Sequence, residues 1–210
     1  MSTLLEAKLE KKVSLSKKAQ SAATIKRLLT VAMREFSQKG YAGASTEAIV
    51  KEARVTRGAL YHHFKGKKDL FYAVFKAAQL QIGNRIEADA DAADDLWDGL
   101  ISGCNAFLKA CSDPALQQVV VIDAPSVLDW NTYRSVDENL PESGLSLLKD
   151  CLRDLVAQDM IKPVSVDALA HLLSGAMDEA AVWIAQSRNP SIALPQAQQT
   201  LRRLLEGLKT

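Results

Sequence analysis

The chain has 210 residues, 48 % of them hydrophobic, with 26 Lys+Arg against 25 Asp+Glu and a formal net charge of +1. That length can bury one sizeable core or divide into a small domain and a larger one. No stretch reaches the roughly 20 apolar residues of a membrane span, residues 1–20 lack the apolar core of a signal peptide, and Cys104, Cys111 and Cys151 make an odd set without a CxxC pair. The cysteine set suits a reducing cytoplasm rather than a disulfide framework, and a cytoplasmic protein with no membrane partner is expected.

The charge is unevenly spread. Residues 1–76 carry 16 Lys+Arg and 6 Asp+Glu, and residues 77–210 carry 10 and 19. A basic first third suits a polyanion, because each neutralised phosphate releases counterions, and an acidic remainder has to face away from it. The plainer reading is that both surfaces are merely solvated.

In chain order, residues 1–20 are polar and lysine-rich (Lys8, Lys11, Lys12, Lys17, Lys18) and are expected to form a flexible basic arm, lying on a nucleic-acid backbone or in its minor groove, or serving only as a tail. Ile25, Leu28, Leu29, Ala32, Met33 and Phe36 follow helical spacing, which predicts an amphipathic helix ending at Gly40. A second helix of about two turns is expected from Ser45 or Thr46, with Ile49 and Ala53 inward. Thr56 then caps a third, with Val55 and Leu60 as a hydrophobic staple and Phe64 continuing the buried stripe. Leu70, Phe71, Val74, Phe75 and Ala78 open a longer helix reaching about residue 89. Beyond it helices are expected near 94–111, 115–128, 140–160, 166–187 and 195–208. Residues 119–122 read as a buried helical turn and 129–139 as the least defined stretch.

Two short helices joined by about three residues make a helix-turn-helix whose second helix, roughly 10 Å long, can enter a major groove. With Leu60 and Phe64 inward, Arg57, Gly58, Ala59, Tyr61 and His62 face out. Arg57 suits a guanine edge, Gly58 allows close approach and Ala59 can touch a thymine methyl. Thr46, Tyr61, His62 and Lys67 suit phosphates, with Arg54 and Thr56 as further contacts, and Lys67 stands beside a helix start whose free amides attract anions.

Gly40-Tyr41, the spacing of Thr46, Ile49 and Ala53, and above all the run from Gly58 through Ala59, Leu60, Tyr61, His62, His63, Phe64, Lys65 and Gly66 to Lys67, followed by Asp69-Leu70, closely resemble the TetR family of regulators. The resemblance covers residues 22–75. It implies an all-α protein: an N-terminal three-helix DNA-binding domain (21–75) and a C-terminal helical bundle for ligand binding and dimerisation (76–210). It also implies an Ω-like homodimer whose last two long helices form a four-helix interface, and repression relieved when a small molecule spreads the two reading heads. Arg54 departs from the pattern, since that turn position is usually Gly in the family; a left-handed Arg there costs on the order of 1 kcal/mol.

In the C-terminal part Leu169, Leu172, Leu173, Ala176, Ala180, Trp183 and Ile184 form one apolar stripe, and Leu201, Leu204, Leu205 and Leu208 another. Each suits a core or a dimer interface. Trp97, Phe107, Trp130, Tyr133, His171, Met177 and Asp178 are candidates for a ligand pocket, although for each taken singly ordinary core packing is the better account. His171 and Asp178 share a helical face, but two donors without a third do not make a metal site, and no cofactor is expected. No GxSxG, HExxH or P-loop is present, so no enzyme is expected. The function read here is a sequence-specific DNA-binding repressor that recognises an inverted-repeat operator and is released by a small-molecule effector of unknown identity. The alternative is a constitutive or partner-controlled DNA binder whose C-terminal domain is only an interaction module.

Overall fold

The computed structural model describes the backbone of residues 2–210 and side chains from residue 18 onward. Among the described residues the secondary structure is helical apart from one isolated antiparallel bridge between Ile161 and Lys209. The chain divides into two compact units, residues 1–74 and 75–210.

The first unit holds α1 (Ser2–Gly43), α2 (Thr46–Glu52), α3 (Arg57–His63) and the start of α4 (Lys67–Asp91). The backbone of the stretch expected as a basic arm, residues 2–20, is helical from Ser2, in keeping with a composition dominated by Leu, Glu, Ala and Lys that no Gly or Pro interrupts. Gly40 breaks α1, but its φ of 66° and ψ of 169° lie outside the left-handed helical well expected of a C-cap; only glycine tolerates that region, and residues 41–43 add one more turn. Leu28, Ala32 and Phe36 from α1 meet Ile49, Leu60, Leu70, Phe71 and Val74, all fully buried. Phe36, Tyr41 and Phe71 form a ring cluster with centroids 5.1–6.0 Å apart, which fixes where the chain turns after Gly40.

The second unit takes the rest of α4 and then α5 (Leu96–Cys111), α6 (Pro114–Leu116), a π-helical stretch (Gln117–Asp123), α7 (Ala124–Val127), α8 (Trp130–Asn139), α9 (Gly144–Ala157), α10 (Val166–Gln186) and α11 (Pro190–Glu206). Residues 129–139 prove helical because Asp129 caps them, its carboxylate accepting from the Thr132 amide at 3.0 Å. The 119–122 run is helical as expected, yet wound with π spacing; Pro125 just beyond has no N–H with which to tighten the ladder. The last helix starts at Pro190, not near residue 195, because Pro190 sits at a first-turn position that needs no donor, and Pro195 lies inside it. Its core runs from Leu100 and Leu108 through Leu152 and Leu155 to Ile184 and Leu205. The C-terminus is pinned to the α9–α10 link, where the Lys162 amide donates to the Leu208 carbonyl at 3.0 Å.

Candidate functional site

In the first unit both short helices are held by their caps. Ser45 Oγ accepts from the Ala48 amide at 3.3 Å, and Thr56 Oγ1 accepts from the Ala59 amide at 3.1 Å. Between them Arg54 has φ 53°. Its amide donates to the Lys51 carbonyl, and the Val55 amide donates to the Val50 carbonyl, both at 3.2 Å. This is a Schellman closure with Arg in the position that prefers Gly, and it swings the chain from α2 into α3.

Two contacts that sequence reasoning missed anchor α2 to α1. Glu35, only 7 % exposed, accepts from the Ser45 amide at 3.2 Å and from Lys39 Nζ at 2.8 Å, and the Lys39 bond first, with the Ser45 amide assisting, holds its carboxyl below the usual range. Arg34 also pairs with Glu52. A carboxylate on the buried face of a predicted amphipathic helix was the signal available for Glu35.

On α3, Leu60 and Phe64 are buried, while Arg57, Gly58, Tyr61 and His62 are exposed and Ala59 is half-buried. The Arg57 guanidinium lies over the Tyr61 ring at 5.5 Å. A Cβ on Gly58 would have only Thr56 Oγ1 within 4 Å, at 3.9 Å, so nothing within the chain requires glycine there. Thr46 donates to Glu47 Oε2 at 3.3 Å, and Arg54 stands exposed. Lys67 is partly committed: its Nζ donates to the Ala42 carbonyl at 3.2 Å and lies 4.7 Å from the Tyr41 ring centroid.

The second unit holds a partly open cavity of about 860 Å³. Phe107, Trp130, Tyr133, His171, Met177 and Asp178 all line it. Trp97 does not. It is 4 % exposed inside the core, and its ring meets the C-terminal segment, with Lys209 Nζ 4.4 Å from its centroid, whereas Leu100 and Cys104 further along the same face of α5 reach the cavity. An aromatic on a helical stripe gives no sign of which side of the stripe is hollow.

Arg134, which sequence reasoning missed, organises the polar end of the cavity. Nη1 lies 3.4 Å from Asp178 Oδ2 and 3.8 Å from Asp137 Oδ2, Nη2 is 3.3 Å from His171 Nδ1, and the guanidinium lies 5.5 Å from the centroid of the Trp130 ring. Gln79 Nε2 donates to Asp137 Oδ1 at 3.0 Å. Burial pushes Asp137 up to about 7 and Asp178 up to about 6, against the opposing pull of Arg134. Burial likewise raises the Cys104 thiol to about 12 and Cys151 to about 11, so these cavity thiols stay protonated.

A capped helix-turn-helix with an exposed second helix, in a chain whose other unit holds a cavity, has the features of a DNA-binding regulator. Comparison with known proteins agrees: residues 28–74 match the family of bacterial regulatory proteins, tetR family, and residues 97–208 match the tetracyclin repressor-like C-terminal domain. The chain belongs to the TetR family of DNA-binding transcriptional regulators. It is similar to the transposon Tn10 TetC protein of Escherichia coli, 27 % identical over 73 % of this chain and 76 % of that one. Over 31 % of each chain it is 44 % identical to the regulator AcrR of Shigella flexneri. A crystal structure of a TetR-family regulator from Pectobacterium atrosepticum superposes with a TM-score of 0.78 at 33 % identity, over 91 % of this chain and 97 % of that one. A Bacillus subtilis FadR in complex with stearoyl-CoA shares the fold, with a TM-score of 0.67 at 20 % identity over 83 % and 96 %. No helix among the described residues is long and apolar enough to cross a membrane.

Proposed function

We propose that this chain acts in the cytoplasm as a homodimeric repressor that holds an inverted-repeat operator through the α3 helices of its two protomers and lets go when a small molecule fills the cavity. The observation that carries the reading is the outward face of α3. Arg57, Gly58, Ala59, Tyr61 and His62 present a guanidinium, a phenol and an imidazole around a glycine that the fold does not require. Arg57 is assigned to a guanine edge and Ala59 to a thymine methyl. Thr46, Arg54, Thr56, Tyr61, His62 and Lys67 are assigned to the phosphate backbone, Lys67 by exchanging its Ala42 carbonyl for a phosphate oxygen.

The two-fold axis is supported by apolar residues that the single chain leaves in solvent. Leu172 (73 % exposed) and Trp183 (47 %) lie on α10, and Ile192 (54 %) and Leu204 (64 %) lie on α11. Covalent continuity supports the release step, because α4 carries Phe71 and Val74 of the first core and then Gln79 and Ile86 of the cavity wall. A ligand shifts operator affinity only by its difference in affinity for the two states; a hundredfold release needs about 2.7 kcal/mol of that difference. No step of this reading calls for catalysis.

The test is selection of sheared genomic DNA by the purified protein at near-physiological salt, followed by sequencing. Enrichment of an inverted repeat upholds the reading. Enrichment of direct or single half-sites removes the dimer, and no enrichment above bulk DNA removes the operator.

A further inference from the structure

We infer that the cavity of the second unit takes a hydrophobic organic cation, a molecule with a bulky aromatic or aliphatic body and a fixed positive charge. The inference rests on the effector reading above only for its regulatory consequence; the site itself stands on the composition of the walls.

Seven of the side chains lining the cavity are carboxylates, contributed by α4, the start of α5, α8, α9 and α10, whereas among the described residues the basic lining side chains are Arg134 and the His171 imidazole, and no lysine lines it. Most of these carboxylates, such as Glu87, Asp91 and Asp154, are exposed at the rim, where they set the sign of the field that an entering molecule meets. Deeper in, Asp137 and Asp178 share the single charge of Arg134 at 3.8 and 3.4 Å, so the buried cluster of two carboxylates and one guanidinium carries a surplus of negative charge when ionised. An anionic head would have to settle amid that surplus and take Arg134 from both partners. A cation neutralises it.

The remaining walls suit the body of such a ligand. Trp130, 70 % exposed, stacks on Tyr133 with centroids 6.1 Å apart and planes 16° from parallel, giving a π surface beside the carboxylates. Arg134 already shows the pairing this corner favours, a cation on the Trp130 face against a carboxylate. Phe107, Leu148 and Met177 supply apolar area, and a cavity of about 860 Å³ is of drug-ligand size.

Tetraphenylphosphonium and tetraphenylborate have nearly the same shape and opposite charge, so titrating the full-length protein with each by calorimetry, without DNA, isolates the sign. Ethidium serves as a second cation of different shape, and stearoyl-CoA as a natural-type anion. The expected result is binding of at least one cation, at least tenfold tighter than either anion, and a tenfold or greater loss of that affinity in Asp178→Asn. Asp137→Asn should weaken the cation as well, which keeps the test alive if one variant fails to fold by thermal melt. Binding of tetraphenylborate or stearoyl-CoA as tight as either cation, failure of both cations to bind, or unchanged cation affinity in both folded variants overturns the proposal. A cation that binds as expected yet leaves affinity for the selected operator unchanged upholds the site and removes the effector reading instead.

Discussion

Arg54 sets a local conflict between backbone and side chain. Its φ of 53° costs a non-glycine residue about 1–2 kcal/mol, while glycine would give back roughly 0.5–1 kcal/mol through the entropy of the unfolded chain. Arg54→Gly is therefore expected to stabilise the protein by about 0.5–1 kcal/mol in urea melts. If Arg54 also reaches a phosphate, the same variant will bind operator more weakly and lose about one unit of slope in log K against log salt. A variant that is stabilised with an unchanged slope leaves Arg54 without a DNA role. Asp137 presents the opposite case, a charge the fold resists. It faces Arg134 at 3.8 Å and the Gln79 amide at 3.0 Å, with Asp178, Glu138, Tyr133 and Cys111 in its field. Its folded value of about 7 lies above the ordinary 3.8, so folding takes up a proton, and stability present at low pH is lost as pH rises from about 4 through about 7. Asp137→Asn keeps the oxygen that Gln79 donates to and removes the charge. We expect it to raise Tm at pH 8, with the gain fading by pH 5; an equal gain at both values would contradict the assignment.

At the scale of elements, much of the layout can be read from residue order, and the exceptions have physical reasons. Caps at Ser45 and Thr56 announced α2 and α3, since side-chain oxygens that serve free amides are local in sequence. The π spacing at Gln117–Asp123 left no trace, because it depends on which neighbours Val119 and Val120 bury against. Six of the seven proposed pocket residues line one cavity, while Trp97 and Arg134 went astray because periodicity gives the face of a helix and not whether that face meets a hollow or a core. Gly58 and Gly83 look alike in sequence and act differently. Gly58→Ala meets only Thr56 Oγ1, at an ordinary 3.9 Å, and removes a glycine from the first turn of α3, so stability should stay level or rise by up to about 1 kcal/mol, while operator affinity falls as the added methyl holds α3 off the groove. Unchanged affinity in a mobility-shift titration would take the close approach away from Gly58. At Gly83 a Cβ would run into the Glu142 carbonyl oxygen, in the link before Ser143, whose hydroxyl bonds the Asp137 carbonyl. Gly83→Ala has to displace that link and is expected to destabilise by on the order of 1–3 kcal/mol. An unaltered melting curve would mean the link gives way without cost.

For the whole molecule, the decisive quantity is what one protomer leaves uncovered. The outward positions of α10 run Ala168, Leu172, Gly175, Ala176, Glu179 and Trp183, a stripe of small and large apolar residues with a single charge, and a Cβ on Gly175 would meet nothing within 4 Å. Within one chain this stripe contributes little, because Leu172 is 73 % exposed and its removal forfeits almost no burial. Leu172→Glu should thus change the stability of an isolated protomer by no more than about 0.5 kcal/mol, the ordinary range for a surface site. In a dimer the same change sets two carboxylates in an apolar interface near its axis, a desolvation cost of several kcal/mol. The expected outcome is a shift from dimer to monomer in sedimentation at micromolar concentration. Helical content should be retained, and operator affinity should fall at least tenfold, since one reading head alone contacts half the site. Because the free-chain cost is small, a variant that stays dimeric cannot be explained by misfolding and would move the two-fold interface off α10. A variant that becomes monomeric yet binds the inverted repeat undiminished would show instead that the two heads meet only on DNA.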